Sequence, residues 1–185
     1  MLAGLEDKGL KQFFCRLALA VLPALAWAQM RWTCATESAP WASRAFFPAV
    51  VFDGRVWVLG GGQDNDRVHN DVWVSTNGQD WELVTQSAGW NPRFGHSAVV
   101  FQNSIWVFGG HDHSRFHADV WRSSNGRDWT LVTESPGWSA RGVHSTLVFR
   151  DTIWLLGGYD STSWLKNDVW KSGDGENWIR VTPAG

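Results

Sequence analysis

Trp57-Val58-Leu59-Gly60-Gly61 is an apolar run that ends in a double glycine, and it recurs twice in the chain. The copies are Trp106-Val107-Phe108-Gly109-Gly110 and Trp154-Leu155-Leu156-Gly157-Gly158. Shifted by about 49 residues, the sequence therefore overlies itself, which indicates a repeat architecture. The three runs give the frame in which the other residues are placed.

Further columns of residues repeat in the same frame. They are Asp71-Val72-Trp73 with Asp119-Val120-Trp121 and Asp168-Val169-Trp170, Trp81 with Trp129 and Trp178, Trp41 with Trp90 and Trp138, and Arg44 with Arg93 and Arg141. Most of the 15 tryptophans fall in such columns. The tryptophan excess is thus a repeated structural feature and does not indicate as many separate binding residues.

Each repeat contains four short apolar runs separated by turn signals. In the second repeat they are Ser97–Phe101, Ile105–Phe108, Asp119–Ser123 and Trp129–Thr133. Such runs, rich in Val, Ile, Phe and Trp, predict β-strands, and Asn125-Gly126 before the last one predicts a tight hairpin turn. Four antiparallel strands in a period near 50 residues are typical of one β-propeller blade. The sequence therefore predicts an all-β propeller fold.

The repeat also resembles a known family. The double glycine after an apolar run, the spaced aromatic pair Trp121 and Trp129, and the arginine before the next unit are similar to the Kelch repeat. The resemblance covers Trp32 to Thr182, and it departs in one respect, since the first aromatic of the pair is usually tyrosine in that family. It implies a partial Kelch-type β-propeller of an exported bacterial type, with three four-stranded blades at residues 46–93, 94–141 and 142–185.

Residues 1–28 have the pattern of a secretory signal peptide. Lys8, Lys11 and Arg16 supply positive charge, the apolar run Leu17–Ala26 follows, and Ala26-Trp27-Ala28 fits a cleavage site. A bilayer span takes roughly 20 apolar residues, so this run is too short for one. A buried first helix is the structural alternative. We therefore expect a secreted or periplasmic protein that is not attached to a membrane after cleavage.

Residues 29–45 predict an extra outer strand and a link, because Trp32–Thr36 aligns with Trp81–Thr85, the last run of the first repeat. The third blade already has its own fourth run, so the extra strand has no vacancy to fill. Three blades also fall below the usual four to eight, and an open arc leaves apolar blade faces uncovered. We therefore expect one of two arrangements. The favoured one is a fragment of a longer propeller, because the chain stops where another link would begin. The other is a pair of chains that complete a six-bladed ring.

Composition and charge exclude some partners. The 16 basic and 18 acidic residues give a net charge of −2, so the chain has no basic footprint for nucleic acid or an anionic membrane. Cys15 leaves with the signal peptide, so Cys34 can form no disulfide within the mature chain. Its alignment with Leu83 and Leu131 predicts a small apolar strand residue, and pairing between chains is left open.

In a blade of this kind, the loops between the second and third strands share one face with the links between blades, and loops on a rigid scaffold are the usual place for function. The ligand-binding candidates there are Arg44, Arg93, Arg141, His96, His144, Asp64, His111, Asp112, Tyr159, Asp160 and Trp164. A ring of guanidinium groups would bind carboxylates or sugar hydroxyls. The structural alternative is that the repeated arginines and histidines support the blades, and that Trp164 packs beneath its own loop.

We predict no metal and no cofactor. His111, His113 and His117 with Asp112 are ligand types that suit zinc or copper, but they occur in one repeat only. Kelch propellers include copper oxidases resembling galactose oxidase, whose site needs two tyrosines, and Tyr159 is the only tyrosine here. Segments 75–81 and 172–178 resemble the sialidase Asp-box, which is a structural hairpin and implies no hydrolase.

Three functions remain open at this stage. The first hypothesis is an exported, non-enzymatic recognition module that binds a protein or a glycan through the loop-bearing face. The alternative is a sugar-acid mutarotase or isomerase, which similar exported Kelch propellers in bacteria can be. In that case His96, His144 or a loop aspartate would be the general acid or base. The third is a fragment without activity of its own.

Overall fold

The computed structural model describes residues 32–63, 67–162 and 164–181, and of Trp164 only the backbone. The strands of the described residues lie in the compact unit Ala35–Gly185. Among the described residues there is no helix with the length and apolarity that a membrane crossing requires. The predicted signal peptide lies outside the described residues.

In the part of the chain that the structure describes, the strands form three sheets of four, and each sheet is one blade. The first blade contains β1 (Ala49–Phe52), β2 (Arg55–Gly62), β3 (Val68–Ser75) and β4 (Glu82–Thr85). The second contains β5 (Ser97–Phe101), β6 (Ser104–Phe108), β7 (Val120–Ser123) and β8 (Thr130–Thr133). The third contains β9 (Ser145–Val148), β10 (Ile153–Asp160), β11 (Trp164–Ser172) and β12 (Ile179–Arg180).

Within each sheet the strands pair antiparallel and in chain order. The prediction of an all-β fold with three four-stranded blades is therefore confirmed. In the second blade, the ends of the predicted strands agree with the observed ends to within one residue. The agreement follows from the length and composition of the apolar runs, which match half-buried strands bounded by turn residues.

The double glycines are required by the close approach of the next link. Gly109 and Gly110 have φ angles of 53° and 95°, in the left-handed region that glycine adopts without steric cost. A Cβ atom on Gly109 would lie 2.7 Å from the carbonyl oxygen of Arg141, and one on Gly110 would lie 2.7 Å from the Cβ of His96. Any other residue would therefore push the links away from the end of the strand.

The hydrophobic core lies between the blades. Leu59 and Val72 of the first blade pack in one cluster with Ile105 and Val107 of the second blade and with the linking Trp90. A second cluster joins the second blade to the third in the same way; its buried members include Phe108, Val120, Trp138, Ile153 and Leu155. Because burial of apolar area is the main driving force for folding, each blade depends on its neighbour for stability.

In the first and second blades, one tryptophan packs on the following blade, at the hairpin between its third and fourth strands. The Trp57 ring lies where a Cβ of Gly126 would be, and the Trp106 ring covers Gly175 in the same way. Their indole N–H groups donate to the carbonyl oxygens of Phe52 and Phe101 at 2.9 and 2.8 Å, which fixes the rings in place. The glycine of each covered hairpin is therefore a packing requirement as well as a turn residue.

The hairpin between the third and fourth strands is longer than the tight turn that Asn-Gly predicts. In the first blade it spans residues 76–81, and within that segment only Gly78 has a positive φ, of 76°. The amide of Gly78 donates to Ser75 Oγ at 2.8 Å, and the amides of Gln79 and Asp80 donate to Asn77 Oδ1 at 2.9 Å each. Side-chain oxygens, rather than a two-residue backbone turn, close this connection.

The prediction of an extra strand at residues 32–36 is wrong, because these residues have no regular secondary structure. A strand needs a partner for its backbone hydrogen bonds, and the fourth place of each described sheet is occupied by β4, β8 or β12. Cys34 accordingly is exposed and lies outside the described strands, so the prediction of a small apolar strand residue is wrong.

Candidate functional site

The loops that follow the double glycines lie beside the links between blades. Short β-bridges join Ala45 to Gly62, Phe94 to His111, and Gly142 to Tyr159. We call the surface built by these links and loops the loop face. Of the sequence candidates, Asp64 lies outside the described residues. Trp164 begins β11, and only its backbone is described.

The three repeated arginines lie inside the blades. Arg93 is buried, and its two terminal nitrogens donate to both carboxylate oxygens of Asp119 at 2.6 and 2.9 Å. One of them also donates to the carbonyl oxygen of Gly109 at 2.9 Å. The same clamp is made by Arg44 with Asp71 and Gly60, and by Arg141 with Asp168 and Gly157. These contacts serve the blade, and a ligand-binding role for the arginines stays a prediction.

The clamp also explains the repeated Asp-Val-Trp segment. The indole of Trp121 donates to Asp119 Oδ2 at 2.8 Å, so one carboxylate receives hydrogen bonds from both an arginine and a tryptophan. Burial raises the pKa of Asp119, but the hydrogen bond from Arg93 and the positive charge of Arg93 lower it by more. The pKa of Asp119 is therefore lowered overall. In the third blade the hydrogen bonds from Arg141 lower the pKa of Asp168 to about 2. These carboxylates therefore stay ionised and paired at neutral pH.

His96 and His144 are buried between blades. His144 Nε2 lies 2.8 Å from the hydroxyl oxygen of Ser97, which belongs to the preceding blade. Burial, reinforced by Arg141, lowers the pKa of His144 to about 3. Burial also lowers the pKa of His96 well below its usual value. Both rings are therefore neutral at physiological pH.

The loop of the second blade is organised by Asp112. Its Oδ1 accepts hydrogen bonds from the backbone amides of Ser114 and Arg115 at 3.0 Å each, and its Oδ2 lies 3.0 Å from His117 Nε2. Desolvation raises the pKa of Asp112, but the hydrogen bond from the Ser114 hydroxyl, together with those from the two amides and His117, outweighs it and holds the pKa far below the usual range. Within the described part of the chain, no group of three or more His, Cys, Asp and Glu residues is arranged to hold a metal ion.

Asp160 and Tyr159 organise the loop of the third blade. The carboxylate of Asp160 is buried, lies 2.7 Å from Lys166 Nζ, and accepts the amide and the hydroxyl of Thr162 at 2.9 Å each. The hydroxyl of Tyr159 reaches the second blade, where it lies 3.1 Å from His111 Nε2. Tyr159 thus connects the two loops on the loop face.

Aromatic rings form a continuous row across the loop face. Phe46 lies 6.0 Å from Phe94, Phe94 lies 3.7 Å from His111, and His111 lies 5.1 Å from Phe116 and 6.0 Å from Tyr159, measured between ring centroids. We call these five residues the aromatic row. At one end of it, Phe46 is 62% exposed. Desolvation by burial is the main cause that lowers the pKa of His111, and the neighbouring His113 adds to it, so the His111 ring is uncharged at neutral pH.

A cleft of about 640 Å³ opens beside the exposed end of the aromatic row. It is lined by Ser43, Arg44, Ala45, Phe46, Gly62, Gln63, Phe94 and His113. Its wall combines apolar rings with hydrogen-bonding side chains: Gln63 Nε2 donates to Ser43 Oγ at 3.0 Å, and His113 lies 4.7 Å from the Phe94 ring. A cleft of this composition can hold an apolar side chain together with a polar backbone.

Sequence reasoning missed most of this cleft. Among the predicted site residues that the structure describes, Arg44 alone lines the cleft, while His111 and Tyr159 belong to the adjoining aromatic row. Phe46 and Phe94 were not singled out, although they follow the repeated arginines closely. Phe46 has a φ of 55°, a left-handed conformation that it shares with Gly95 and Val143 at the equivalent places of the other repeats, and the sequence gives no signal for it.

The family model described as the KLHDC2/KLHL20/DRC7 Kelch-repeats domain matches residues 49–185, which is most of the chain and includes all three blades. No curated protein matches the sequence significantly.

Proposed function

The chain belongs to the Kelch-repeat family, whose domains generally bind protein partners, and we propose that this one binds its protein ligand through the loop face. The proposed surface is the aromatic row together with the adjoining cleft. The ligand is an exposed protein segment that inserts an apolar or aromatic side chain against Phe46 and Phe94. Its backbone amides would face Ser43, Gln63 and His113.

The observation that carries this proposal is the exposed ring of Phe46 in a preorganised setting. Large apolar side chains on a monomer surface are unremarkable when single, but a row of them beside a cleft marks an interaction site. Aromatic residues near the centre of an interface supply most of its binding energy. The row is held by two hydrogen-bonded loops, so little ordering is needed on binding.

The experiment uses a library of random peptides displayed on phage and selected on the wild-type chain. Selected peptides are then titrated against Phe46→Gly, in which the ring is absent and the backbone keeps its left-handed conformation, as Gly95 does in the next repeat. We expect Phe46→Gly to bind at least about tenfold more weakly, the loss that a hot-spot aromatic causes.

Ile179→Ala is the matched control, because Ile179 is an equally exposed apolar residue on the outer strand β12. It should bind the selected peptides within about twofold of the wild-type affinity, as surface changes outside an interface do. Equal binding by the wild type and Phe46→Gly would contradict the proposal. A glycan array probed with the same three proteins tests the glycan alternative, in which binding of a sugar would again depend on Phe46.

The mutarotase alternative receives no support from the described geometry. It requires a general acid or base that reaches a substrate, and His96 and His144 are buried between blades. Asp112 and Asp160 are engaged in holding their own loops.

We further propose that the module is exported. The support is the charged segment, the apolar run Leu17–Ala26 and the small residues Ala26 and Ala28, a pattern that signal peptidases cleave. Expression of the full chain in a bacterial host, followed by N-terminal sequencing, should give Gln29 as the first residue of periplasmic protein. Recovery of uncleaved chain in the cytoplasm would contradict this proposal.

A further inference from the structure

In the first and second blades, one side packs against the following blade and its apolar residues are buried. The same side of the third blade is exposed. Phe149 is 51% exposed, whereas the equivalent residues Phe52 and Phe101 are 8% and 5% exposed. Leu147 is likewise exposed, while its equivalent Val99 is buried. Trp154 is held like Trp57 and Trp106, with its indole donating to the carbonyl oxygen of Phe149 at 3.2 Å, but no hairpin of the described residues lies beneath its ring.

The first blade exposes the opposite half of the same interface. Gly78 is the equivalent of Gly126 and Gly175, which the rings of Trp57 and Trp106 cover, and a Cβ at Gly78 would meet no atom within 4 Å. Val51 on the same blade is 68% exposed. The first blade therefore has the glycine that a tryptophan covers in the other blades, and the third blade has the tryptophan.

The receiving side of the first blade is already formed in this chain. Trp41 packs edge-on against Trp81 at 4.6 Å between centroids, as Trp90 packs against Trp129 and Trp138 against Trp178 at 5.9 and 6.0 Å. It therefore needs little rearrangement to accept a neighbouring blade.

A short ladder of backbone hydrogen bonds joins the links that precede β1, β5 and β9. Its two ends are a hydrogen-bond donor and a hydrogen-bond acceptor. The amide of Gly95 donates to the carbonyl oxygen of Phe46 at 2.9 Å, and the amide of Val143 donates to the carbonyl oxygen of Gly95 at 2.7 Å. Phe46 and Val143 share the left-handed conformation of Gly95. Within the described residues, the amide of Phe46 and the carbonyl oxygen of Val143 make no such bond, and they are the donor and acceptor that continue the ladder.

We infer that two copies of this chain assemble head to tail, with Trp154 of each copy packed on Gly78 of the other, to form a closed ring of six blades. The arrangement repeats, between chains, the interface that already exists twice within the chain. Two copies of three blades give a ring inside the usual range of four to eight, and a two-fold axis closes it without leaving an open face. Three copies would exceed that range.

The experiment measures the mass of the purified full chain by light scattering over a dilution series. The expected mass is twice that of a single copy, which is 20.8 kDa before removal of the predicted signal peptide. Gly78→Asn is the main variant, because asparagine tolerates a positive φ and the site is open within one chain, whereas a side chain there collides with Trp154 of the partner. We expect its dissociation constant to rise at least about tenfold.

Gly54→Asn is the matched control. Gly54 also has a positive φ, of 67°, with no atom within 4 Å of its Cβ position, and the second repeat has Asn103 at the equivalent place. This variant should dimerise like the wild type.

A mixing experiment tests the head-to-tail geometry. A ring of one Trp154→Ala chain and one Gly78→Asn chain has one intact interface, since the second chain keeps Trp154 and the first keeps Gly78. The mixture should therefore dimerise more tightly than either variant alone. A wild-type monomer at micromolar concentration, or dimerisation that Gly78→Asn does not weaken, would overturn the inference. So would isolation from the native cells of a longer polypeptide whose own further blades cover the two faces.

Discussion

Arg93 shows how one residue joins two blades. Its backbone amide donates to the carbonyl oxygen of His69 at 3.1 Å and its carbonyl oxygen accepts the amide of Gly61 at 3.0 Å, both in the first blade. Its guanidinium group binds Asp119 of the second blade. Arg141 makes the corresponding contacts between the second blade and the third. A residue with this role is needed at every blade interface, which accounts for the repeat of the arginine column.

Arg93→Ala should lower the free energy of unfolding by about 3–5 kcal/mol, because it leaves the largely buried carboxylate of Asp119 without its partner. Arg55→Ala is the control, since Arg55 pairs with Asp53 at 2.7 Å on the surface and both side chains are exposed. The control should change stability by no more than about 1 kcal/mol. Urea denaturation followed by tryptophan fluorescence measures both variants. An equal decrease in the free energy of unfolding of both variants would show that the Arg93–Asp119 pair stabilises the fold no more than a surface ion pair does.

The buried histidines predict a loss of stability in mild acid. His144 has a folded-state pKa of about 3 against an ordinary value of 6.5, so below pH 6.5 the unfolded chain binds a proton that the folded chain does not. Stability is therefore fully present above pH 6.5 and falls as the pH is lowered toward 3. His96 adds to the loss in the same direction. Each such histidine contributes a slope of at most about 1.4 kcal/mol per pH unit.

His144→Gln tests this, because glutamine does not titrate and can still bond the hydroxyl of Ser97. Between pH 6.5 and pH 4 the free energy of unfolding of this variant should fall less steeply than that of the wild type. Ile179→Ala, an exposed position on β12 without an ionisable side chain, is the control and should keep the wild-type slope. An unchanged slope in His144→Gln would mean that the ring is protonated in the folded protein.

At the scale of single elements, the strands could be predicted and their contacts could not. The run Ser97–Phe101 coincides with β5 because its length, composition and flanking turn residues all favour a strand. The extra strand at residues 32–36 failed although its residues resemble β4, since a strand forms only where a sheet edge is available. The aromatic row could not be predicted because Phe46, Phe94 and Tyr159 belong to different repeats and meet only in the assembled fold.

Gly126→Ala should be far more destabilising than Gly54→Ala. Both glycines have a positive φ, of 71° and 67°, so both variants incur about 1–2 kcal/mol of backbone strain. Only the methyl group at position 126 overlaps the Trp57 ring, since nothing lies within 4 Å of the corresponding position on Gly54. The excess loss for Gly126→Ala should reach about 1–3 kcal/mol, the usual cost of overpacking. Thermal denaturation of the two variants side by side measures the difference.

At the scale of the whole molecule, stability is unevenly distributed along the arc. The second blade is covered on both sides, so Ile105, Val107, Phe108 and Val120 are fully buried. Among the described residues, the third blade is covered on one side only, where Ile153 and Leu155 are buried, while Leu147 and Phe149 are exposed. In a single chain the third blade should therefore open before the second, because local stability follows the apolar area that each element buries.

Hydrogen exchange would measure this gradient and its dependence on assembly. In Gly78→Asn, which we expect to remain a single chain, the amides of β9 should exchange at least about tenfold faster than those of β5, because β9 lacks the neighbour that β5 has. In the wild-type pair the face of β9 is covered by the partner, so the two strands should be protected to a similar extent. If the amides of β9 were as protected as those of β5 in the dissociated variant, contacts within one chain would be enough to stabilise the third blade. The absence of a neighbouring blade would then not limit its stability.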